Sequence, residues 1–254
     1  MATDKEKKAV VTLCIGEKYC KLGDLTHPVI KAYADRIKAD FLVINSPKID
    51  LAVGHYEKFQ IYDLLEVYKR ILFVDTDVLI TPHCPDVFEI VPEENFGAFV
   101  VDKYTNYHDN SLKIIQEELG DIGLEREYFN SGVMVISKHH REVFNTKNGL
   151  LKQWSLRSYR EGDGTFLDQT LINYNVQRLG IPVYDIGYKF NHTTATKNSN
   201  SRFNSYVIHY PGKGHRRGKK IEQIKKDLFI IKHKPLALAC SKITLLNQLL
   251  DRIF

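Results

Sequence analysis

The sequence has little cysteine and no long hydrophobic run, and each of these absences excludes a class of protein. Its 254 residues contain four cysteines, none of them in a Cys-x-x-Cys pair, and its polar first residues do not resemble a secretory signal. We therefore expect reduced thiols and a cytoplasmic location. No run of about 18 apolar residues occurs, so we expect no membrane-spanning segment. The composition, 43% hydrophobic and 26% charged, is typical of a soluble globular protein.

Basic charge is concentrated in one segment near the C-terminus. The net charge is +5, but residues 213–234 hold nine Lys or Arg against two acidic residues, so that segment carries +7 and the remainder −2. Such a patch indicates an anionic partner: phosphates, an acidic lipid surface or nucleic acid. A solvated helix face is the alternative interpretation.

Strand-like and helix-like patterns alternate along the chain, which predicts an α/β fold with a mainly parallel central sheet. The strands are predicted at Ala9–Cys14, Phe41–Ile44, Ile71–Val74, Phe96–Val101, Gly132–Ile136, Val183–Ile186 and Val207–Tyr210. The helices are predicted at Val29–Ile37, Tyr56–Tyr68, Leu112–Leu119 and Asp168–Leu179.

Two carboxylates, Asp75 and Asp77, stand within the apolar run of residues 71–80. In an extended backbone, residues two apart point to the same side. Open α/β sheets bind ligands at the carboxyl ends of their strands, and paired hard oxygen ligands suit a divalent cation that holds a diphosphate. The alternative interpretation is an ordinary Asp-rich turn.

Five short segments and two single residues, Lys58 and Asp102, follow one another between about residues 9 and 214. The segments are Val10-Val-Thr-Leu-x5-Tyr19, Leu72-Phe-Val-Asp75-Thr-Asp77-Val-Leu-Ile, Tyr128-Phe-Asn130-Ser131-Gly132-Val, Asp168-Gln169-Thr-Leu-Ile-Asn173 and His209-Tyr-Pro-Gly212. Each is a modest signal alone, but together and in this order they are specific. In this order they resemble the retaining glycosyltransferases of the glycogenin and lipopolysaccharide galactosyltransferase type, glycosyltransferase family 8.

The resemblance implies a GT-A catalytic domain, predicted here at residues 1–234, that uses a nucleotide-sugar donor and Mn²⁺, or Mg²⁺. It implies that Asp75, Asp77 and His209 ligate the metal, and this donor set suits Mn²⁺. The resemblance also implies catalytic roles at the sugar for Asp168, Gln169 and Asn130. The remaining residues that it assigns to the donor are Leu13, Gly16 and Tyr19 at the base, Lys58 at the phosphates or sugar, Asp102 at sugar hydroxyls, and Ser131 and Gly212 nearby.

The sequence departs from the family pattern at two places. Where the family has His-x-x-Gly-x-x-Lys-Pro-Trp, this chain has His215 at the lysine position, followed by two arginines. Lys213 or Arg216 is therefore predicted to contact the phosphates instead. Gly16 stands where the family often has Asn or Asp, so recognition of uracil by that side chain is absent, although UDP remains the predicted nucleotide.

The last residues, 235–254, carry apolar side chains at helical spacing. This stripe predicts an amphipathic helix, either docked on the catalytic domain or lying on an anionic membrane surface at the inner face of a membrane. The acceptor is predicted to be a glycan, a lipid-linked sugar or a protein. The stripe consists of Ile243, Leu246, Leu249, Leu250 and Ile253.

Two other functions fit parts of the sequence. A sugar-phosphate nucleotidyltransferase also uses paired Asp and a metal, but it needs a Gly-rich basic loop near the N-terminus, of which Ile15-Gly-Glu-Lys is a poor version. A nucleic-acid-binding protein would account for the basic segment but not for the Asp pair, and no binding-module motif is evident, so no nucleic-acid partner is predicted.

Overall fold

The computed structural model describes residues 7–51, 53–104, 111–123, 127–161, 167–196, 199–212 and 220–233. The strands are β1 (Lys8–Leu13), β2 (Asp40–Ile44), β3 (Arg70–Asp75), β4 (Val78–Ile80), β5 (Phe96–Val100), β6 (Phe129–Ser137), β7 (Val183–Asp185) and β8 (Val207–His209). The helices are α1 (Glu17–Arg36), α2 (Ile61–Val67), α3 (Ser111–Leu119), α4 (Leu150–Glu161), α5 (Leu167–Arg178) and α6 (Lys220–Lys232). A 3₁₀ segment, Gly54–Gln60, leads into α2.

A six-stranded sheet forms the centre of the fold, in the order β2-β1-β3-β6-β5-β7. Strand β6 runs antiparallel to both of its neighbours, β3 and β5, whereas the other pairings are parallel. The predicted mainly parallel sheet is therefore confirmed. A second, two-stranded antiparallel sheet pairs β4 with β8.

The central strand β3 has buried side chains on both faces, which is why its sequence is a continuous apolar run. Ile71 and Phe73 belong to the hydrophobic cluster on one face of the sheet, and Leu72 and Val74 belong to the cluster on the other. This period-2 division places packed layers on both faces. The carboxyl end of β3 is therefore held in a rigid, fully packed setting.

A buried carboxylate fastens α6 to the rest of the protein. Asp227 is fully buried, and the Arg202 guanidinium donates to its two oxygens at 2.9 and 3.1 Å. The Tyr210 hydroxyl donates to the same carboxylate at 2.6 Å, and Gln223 donates to it at 2.8 Å. Because Tyr210 directly follows β8, this network fixes the middle of α6 beside the end of that strand.

The structure differs from the sequence-based predictions in several elements. Helix α1 begins at Glu17, well before the predicted Val29, because Gly16 at φ 91° turns the chain directly from β1 into the helix. Strand β4 and helix α4 were not predicted. None of the described helices is long and apolar enough to cross a membrane. The predicted helix at 235–254 lies outside the described residues, so the division of the chain at residue 234 remains a prediction.

Candidate active site

A cavity of about 490 Å³ opens where the ends of β3 and β8 and the start of β6 meet. Its volume lies within the range of small-molecule sites. Polar side chains from distant parts of the sequence line it together with the apolar Leu13, Ile15 and Leu22. The predicted site residues that line it are Leu13, Tyr19, Lys58, Asp75, Asp77, Asn130, Ser131, Asp168, Gln169, His209 and Gly212.

Two carboxylates and an imidazole converge in this cavity. One ligand atom from each of Asp75, Asp77 and His209 lies within 4.8 Å of the others. His209 Nε2 is 3.4 Å from Asp77 Oδ1 and 3.7 Å from Asp75 Oδ2. The predicted grouping of these three residues is thus present in the structure.

The route by which these groups meet differs from the sequence argument. Asp75 is the last residue of β3, but Thr76 and Asp77 form a turn rather than a continued strand. Asp77 is placed by the pairing of β4 with β8, whose register sets Val78 opposite His209. The Tyr210 N–H also donates to the Asp77 carbonyl at 3.0 Å. The antiparallel pair, rather than i and i+2 alternation, therefore brings the imidazole to the carboxylates.

A chain of amide hydrogen bonds determines which nitrogen of His209 carries its proton. The Gly132 N–H donates to Asn130 Oδ1 at 2.9 Å, so that oxygen is an acceptor. Asn191 must therefore donate to it through Nδ2, at 2.8 Å, which leaves Asn191 Oδ1 to accept from His209 Nδ1 at 2.8 Å. His209 Nε2 is left with a lone pair directed towards the two carboxylates.

The environment of His209 Nε2 fits a metal ligand. This atom is buried and makes no hydrogen bond within the described residues, a costly arrangement unless a ligand occupies the position. A histidine that ligates a metal usually donates its other N–H to a fixed acceptor, as His209 does to Asn191. Two carboxylates and one imidazole suit Mn²⁺ or Mg²⁺, with imidazole favouring Mn²⁺.

Gly132 makes room for this cluster. A Cβ on Gly132 would lie 2.3 Å from His209 Cε1 and 2.9 Å from both Asn130 Oδ1 and Asp75 Oδ2. Any side chain at this position would displace the imidazole or a carboxylate. The glycine of the Asn130-Ser131-Gly132 segment is thus required by the close approach of side chains, not by an unusual backbone angle.

Lys58 forms a second, buried cluster next to the first. It is only 2% exposed, and its Nζ lies 3.0 Å from Asp75 Oδ1 and 2.8 Å from Asp168 Oδ2. It also donates to Ser131 Oγ at 3.2 Å. Lys58 is therefore not a surface lysine. Its ammonium links Asp75, one of the three candidate metal ligands, to the carboxylate of Asp168 at the start of α5.

The charges of this cluster stabilise one another. Burial alone would lower the pKa of Lys58, but the carboxylates of Asp168 and Asp75 outweigh it and raise that pKa above its ordinary value. Burial alone would raise the pKa of Asp168, but the Lys58 ammonium and the Ser131 hydroxyl hold it below its usual range. Burial alone would raise the pKa of Asp77 too, but the nearby Lys220 ammonium lowers it below the usual range. Lys58, Asp168 and Asp77 are all charged at neutral pH.

The first turn of α5 presents Asp168 and Gln169 to the cavity. Gln169 Oε1 accepts from Asn130 Nδ2 at 2.9 Å and from the Ser131 N–H at 3.1 Å, and Ser131 Oγ donates to Asp168 Oδ2 at 3.0 Å. Asn173, one turn further along α5, bonds both the N–H and the carbonyl of Phe129 at 2.9 Å. Helix α5 is thereby locked against β6.

Lys220 brings a second ammonium into the cavity from α6. Its Nζ lies 2.5 Å from Asp77 Oδ2, and Lys220 lines the cavity. The predicted phosphate-binding residues Lys213 and Arg216 lie outside the described residues. From the sequence, Lys220 was recognised only as one of the nine basic residues of segment 213–234, with no role of its own in the site.

Two predicted donor residues do not line the cavity. Gly16 serves as the N-cap of α1. Asp102 lies in a 3₁₀ turn beyond β5, where its carboxylate accepts from the Tyr128 N–H at 3.3 Å. Tyr19 does line the cavity, and burial together with the nearby Asp77 and Asp75 raises the pKa of its hydroxyl. Gly212 lines it too, at φ 65°, where glycine is favoured.

Several residues of the site were missed in the sequence. Asn191 contacts His209 from a loop before β8, and no sequence motif assigned it to the site. Lys18 and His55, both exposed, and Thr76 also line the cavity. Their positions follow from the fold and not from any local pattern.

The family model for glycosyl transferase family 8 matches residues 22–215. This chain belongs to glycosyltransferase family 8. The predicted family is thus confirmed, and the protein is a transferase enzyme with the predicted GT-A fold. No curated protein sequence matches the chain.

Solved structures of glycosyltransferases share the fold at low sequence identity. The galactosyltransferase LgtC, in complex with donor and acceptor sugar analogues, is 16% identical, with a TM-score of 0.55 over 86% of this chain and 94% of that one. A glycosyltransferase involved in glycosylation of the major capsid of PBCV-1 is 15% identical, with a TM-score of 0.51 over 86% and 98% of the two chains. The bifunctional glycosyltransferase WbbM is 15% identical, with a TM-score of 0.53 over 84% of this chain and 47% of that one.

Proposed function

We propose that this family 8 enzyme is a metal-dependent, retaining hexosyltransferase that uses a UDP-sugar, UDP-glucose or UDP-galactose. The observation that carries the proposal is the cluster of Asp75, Asp77 and His209, in which the buried Nε2 lone pair faces two carboxylates. The three carboxylates of Asp75, Asp77 and Asp168 face the ammonium groups of Lys58 and Lys220. With His209 neutral, one net negative charge remains, which suits a divalent cation.

In this proposal Asp75, Asp77 and His209 hold Mn²⁺ or Mg²⁺, with Mn²⁺ favoured by the imidazole. When bound, the ion would stabilise the negative charge of a diphosphate leaving group. Asn191 keeps His209 in the ligating tautomer, and Gly132 leaves space for the imidazole. These two residues position the ligands and do not touch the donor.

The donor would lie along the cavity from its apolar end to the buried cluster. Leu13, Ile15 and the half-buried Tyr19 ring offer a surface on which a base could stack. Gly212 would let the backbone approach the diphosphate, and Lys220 would supply a cation in place of the missing family lysine. The hexose would then lie against Asn130, Ser131, Asp168 and Gln169.

During transfer, the bond between the anomeric carbon and the diphosphate oxygen breaks, the acceptor oxygen bonds to that carbon, and the proton of the acceptor hydroxyl passes to the departing diphosphate. Lys58 and Lys220 would stabilise the charge that develops on the leaving group. Asp168 would stabilise positive charge at the anomeric centre through its ionised carboxylate. Each of these side chains is already held by neighbouring groups, so little reorganisation is required.

Hydrogen bonds and an ion pair fix the side chains of Asp168 and Gln169 in the cavity. Asp168 Oδ2 contacts Lys58 Nζ at 2.8 Å and accepts from Ser131 Oγ at 3.0 Å, and Gln169 Oε1 accepts two hydrogen bonds. We infer that these residues stabilise the oxocarbenium-like centre electrostatically.

The acceptor is proposed to be a glycan, a lipopolysaccharide or a protein, and contact with an anionic membrane through the basic segment or residues 235–254 remains part of the proposal. Family membership favours this enzyme over the sugar-phosphate nucleotidyltransferase. A nucleic-acid partner is not proposed. A gel shift with DNA and RNA at low salt tests that choice, and a specific shift would contradict it.

The proposal is tested by a thermal-shift screen of UDP, GDP and CMP, each with and without Mn²⁺, followed by hydrolysis assays with UDP-glucose and UDP-galactose. UDP with Mn²⁺ should raise the melting temperature most, because a ligand that binds only the folded state stabilises it. Excess EDTA should abolish hydrolysis. Stabilisation by GDP or CMP but not by UDP, or full activity in EDTA, would overturn the proposal.

A further inference from the structure

Two cysteines lie together at the two ends of a segment that lines the cavity. Cys14 directly follows β1 and is buried, whereas Cys20, in the first turns of α1, is exposed. The Cys14 thiol points towards the sulfur of Cys20, and the two Sγ atoms are 3.8 Å apart. The sulfurs are thus in van der Waals contact, about 1.8 Å further apart than in a disulfide.

The residues between the two cysteines form one wall of the cavity. Ile15, Lys18 and Tyr19 line it. Gly16, also within this segment, has no atom within 4 Å of a Cβ built on it and already adopts φ 91°. The segment has room to move there, so the sulfurs can approach without a clash at Gly16.

We propose that Cys14 and Cys20 are a thiol–disulfide modification site, and that the disulfide reshapes the end of the cavity that receives the donor's base. The modification itself stands on the sulfur geometry, whereas its effect on nucleotide binding rests on the proposed function. The oxidant is a low-molecular-weight disulfide.

The reaction proceeds in two exchange steps. The exposed Cys20 thiolate attacks one sulfur of the small disulfide, forms a mixed disulfide and releases one small thiolate. Cys14 then loses its proton to solvent and attacks the Cys20 sulfur, which forms the Cys14–Cys20 bond and releases the second small thiolate. The protein loses two electrons and two protons, and the small disulfide is reduced to two thiols.

The order of the two steps follows from the environment of Cys14. Burial, with contributions from Cys20, raises the pKa of Cys14 to about 11, so Cys14 is a poor first nucleophile. In the mixed disulfide Cys20 no longer carries an ionisable thiol, and contact between the sulfurs gives the second step the advantage of proximity. Cys20 is therefore the first nucleophile, and Cys14 is the resolving residue.

Closing the disulfide moves the segment on which Ile15, Lys18 and Tyr19 lie. Displacements on the order of 1 Å in a positioned site have large effects on binding and rate. We expect the oxidised protein to bind UDP with Mn²⁺ about tenfold more weakly than the reduced protein. Bound UDP should conversely slow formation of the disulfide, since coupling between two sites is reciprocal.

The modification is tested by incubating the protein with oxidised glutathione, blocking the remaining thiols and digesting with trypsin. Trypsin cleaves after Lys18 and Lys21, so the two cysteines fall in separate peptides, residues 9–18 and 19–21. The expected product joins these two peptides, and dithiothreitol separates them. Replacement of Cys20 by Ala, at an exposed position, should abolish the product. The buried Cys84 is an internal control and should remain unlinked.

Two results would overturn the proposal. Absence of the joined peptide, in a protein whose Cys20 is accessible to alkylation, would exclude the modification whether or not the protein binds UDP. A joined peptide together with unchanged UDP affinity, measured by calorimetry against the Cys20→Ala variant, would exclude the effect on the cavity. Failure of the reduced protein to bind UDP at all would contradict the proposed function instead.

Discussion

The buried and the exposed parts of the active site are built in different ways. In the buried part, hydrogen bonds or ion pairs link the side chains to one another or to their neighbours, and none is more than 7% exposed; these residues are Lys58, Asp168, Ser131, Gln169 and His209. At the rim, Lys18, His55 and Gly212 are exposed, and Lys220 belongs to a separate helix. The buried part is therefore set by the fold, whereas the rim can adapt.

The two parts of the site also differ in what their side chains contribute. Changes in the buried part should reduce both folding stability and metal binding, because ion pairs and hydrogen bonds join its side chains to one another. Changes at the rim should alter only ligand affinity. The predictions that follow test this difference, from the largest expected effect to the smallest.

Replacement of Lys58 by Met should destabilise the protein by about 3–5 kcal/mol, because it leaves Asp75 and Asp168 without their buried counter-charge. Urea denaturation measures the loss. The control is Lys103→Met, since Lys103 is half-exposed and its ion pair with Asp185, at 3.4 Å, should be worth only about 0–1 kcal/mol. Equal effects of the two substitutions would show that the buried cluster does not stabilise the fold.

The same cluster predicts how stability depends on pH. The folded-state pKa of Asp168 is depressed, so its contribution is present above the unfolded-state pKa of about 3.9 and is lost as pH falls through the lower, folded-state value. The wild type should lose stability steeply below about pH 4, and Lys58→Met less steeply. Parallel curves for the two proteins would contradict this assignment.

Replacement of Gly132 by Ala should reduce transfer by about 100-fold, because the added Cβ meets His209 Cε1 at 2.3 Å. Steady-state kinetics with the proposed UDP-sugar donor measures the change. Gly149 is a second glycine, at φ 83° and with no atom near its Cβ position, so Gly149→Ala introduces backbone strain without a clash at the site. If Gly132→Ala were as active as Gly149→Ala, the close approach of His209 would not be what requires glycine at position 132.

Replacement of Asn191 by Ala should weaken Mn²⁺ binding by about 10–100-fold, because His209 loses the acceptor that fixes its tautomer. Asn191→Asp retains an acceptor oxygen and should recover part of that affinity. Metal affinity, rather than activity, is the quantity to measure, since a merely structural role would lower stability without this recovery. Equal Mn²⁺ affinity of the two variants would exclude the positioning role.

Replacement of Lys220 by Met should weaken UDP binding by about tenfold, the loss expected for one charge-assisted contact. Stability should change little, because Lys220 is partly exposed and its helix is anchored by Asp227. Lys225→Met, at an exposed position of the same helix, is the matched control. Unchanged UDP affinity in Lys220→Met would assign the phosphate contact elsewhere, for example to Lys213 or Arg216.

The sequence predicted the buried part of the site better than the rim. Asp75, Asp77, Lys58 and His209 were identified because ordered family motifs carry them. Lys220 was not singled out, because its contact with Asp77 spans 143 positions and depends on how α6 docks. Gly16 and Asp102 stand at positions that the resemblance assigns to the donor, but they do not line the cavity. Sequence position alone cannot tell a ligand from a helix cap.

The fold was predicted in its class but not in all its elements. Apolar runs identified the buried strands, but the period of a strand carries no information about direction, so the antiparallel course of β6 was not foreseen. Helix α1 was placed too late, because its first turns expose charged residues and lie partly on the small β4–β8 sheet. That sheet itself has strands of three residues, too short to give a pattern.

The central claim, that Asp75, Asp77 and His209 form a divalent-cation site, is tested most directly by titrating Mn²⁺ into the protein without donor and following free Mn²⁺ by electron paramagnetic resonance. The account predicts one bound Mn²⁺ per chain in the wild type and in the surface variant Asp63→Asn. It predicts loss of that binding in Asp77→Asn and His209→Ala, with circular dichroism showing both variants folded. Stoichiometric Mn²⁺ binding that survives both substitutions would contradict it.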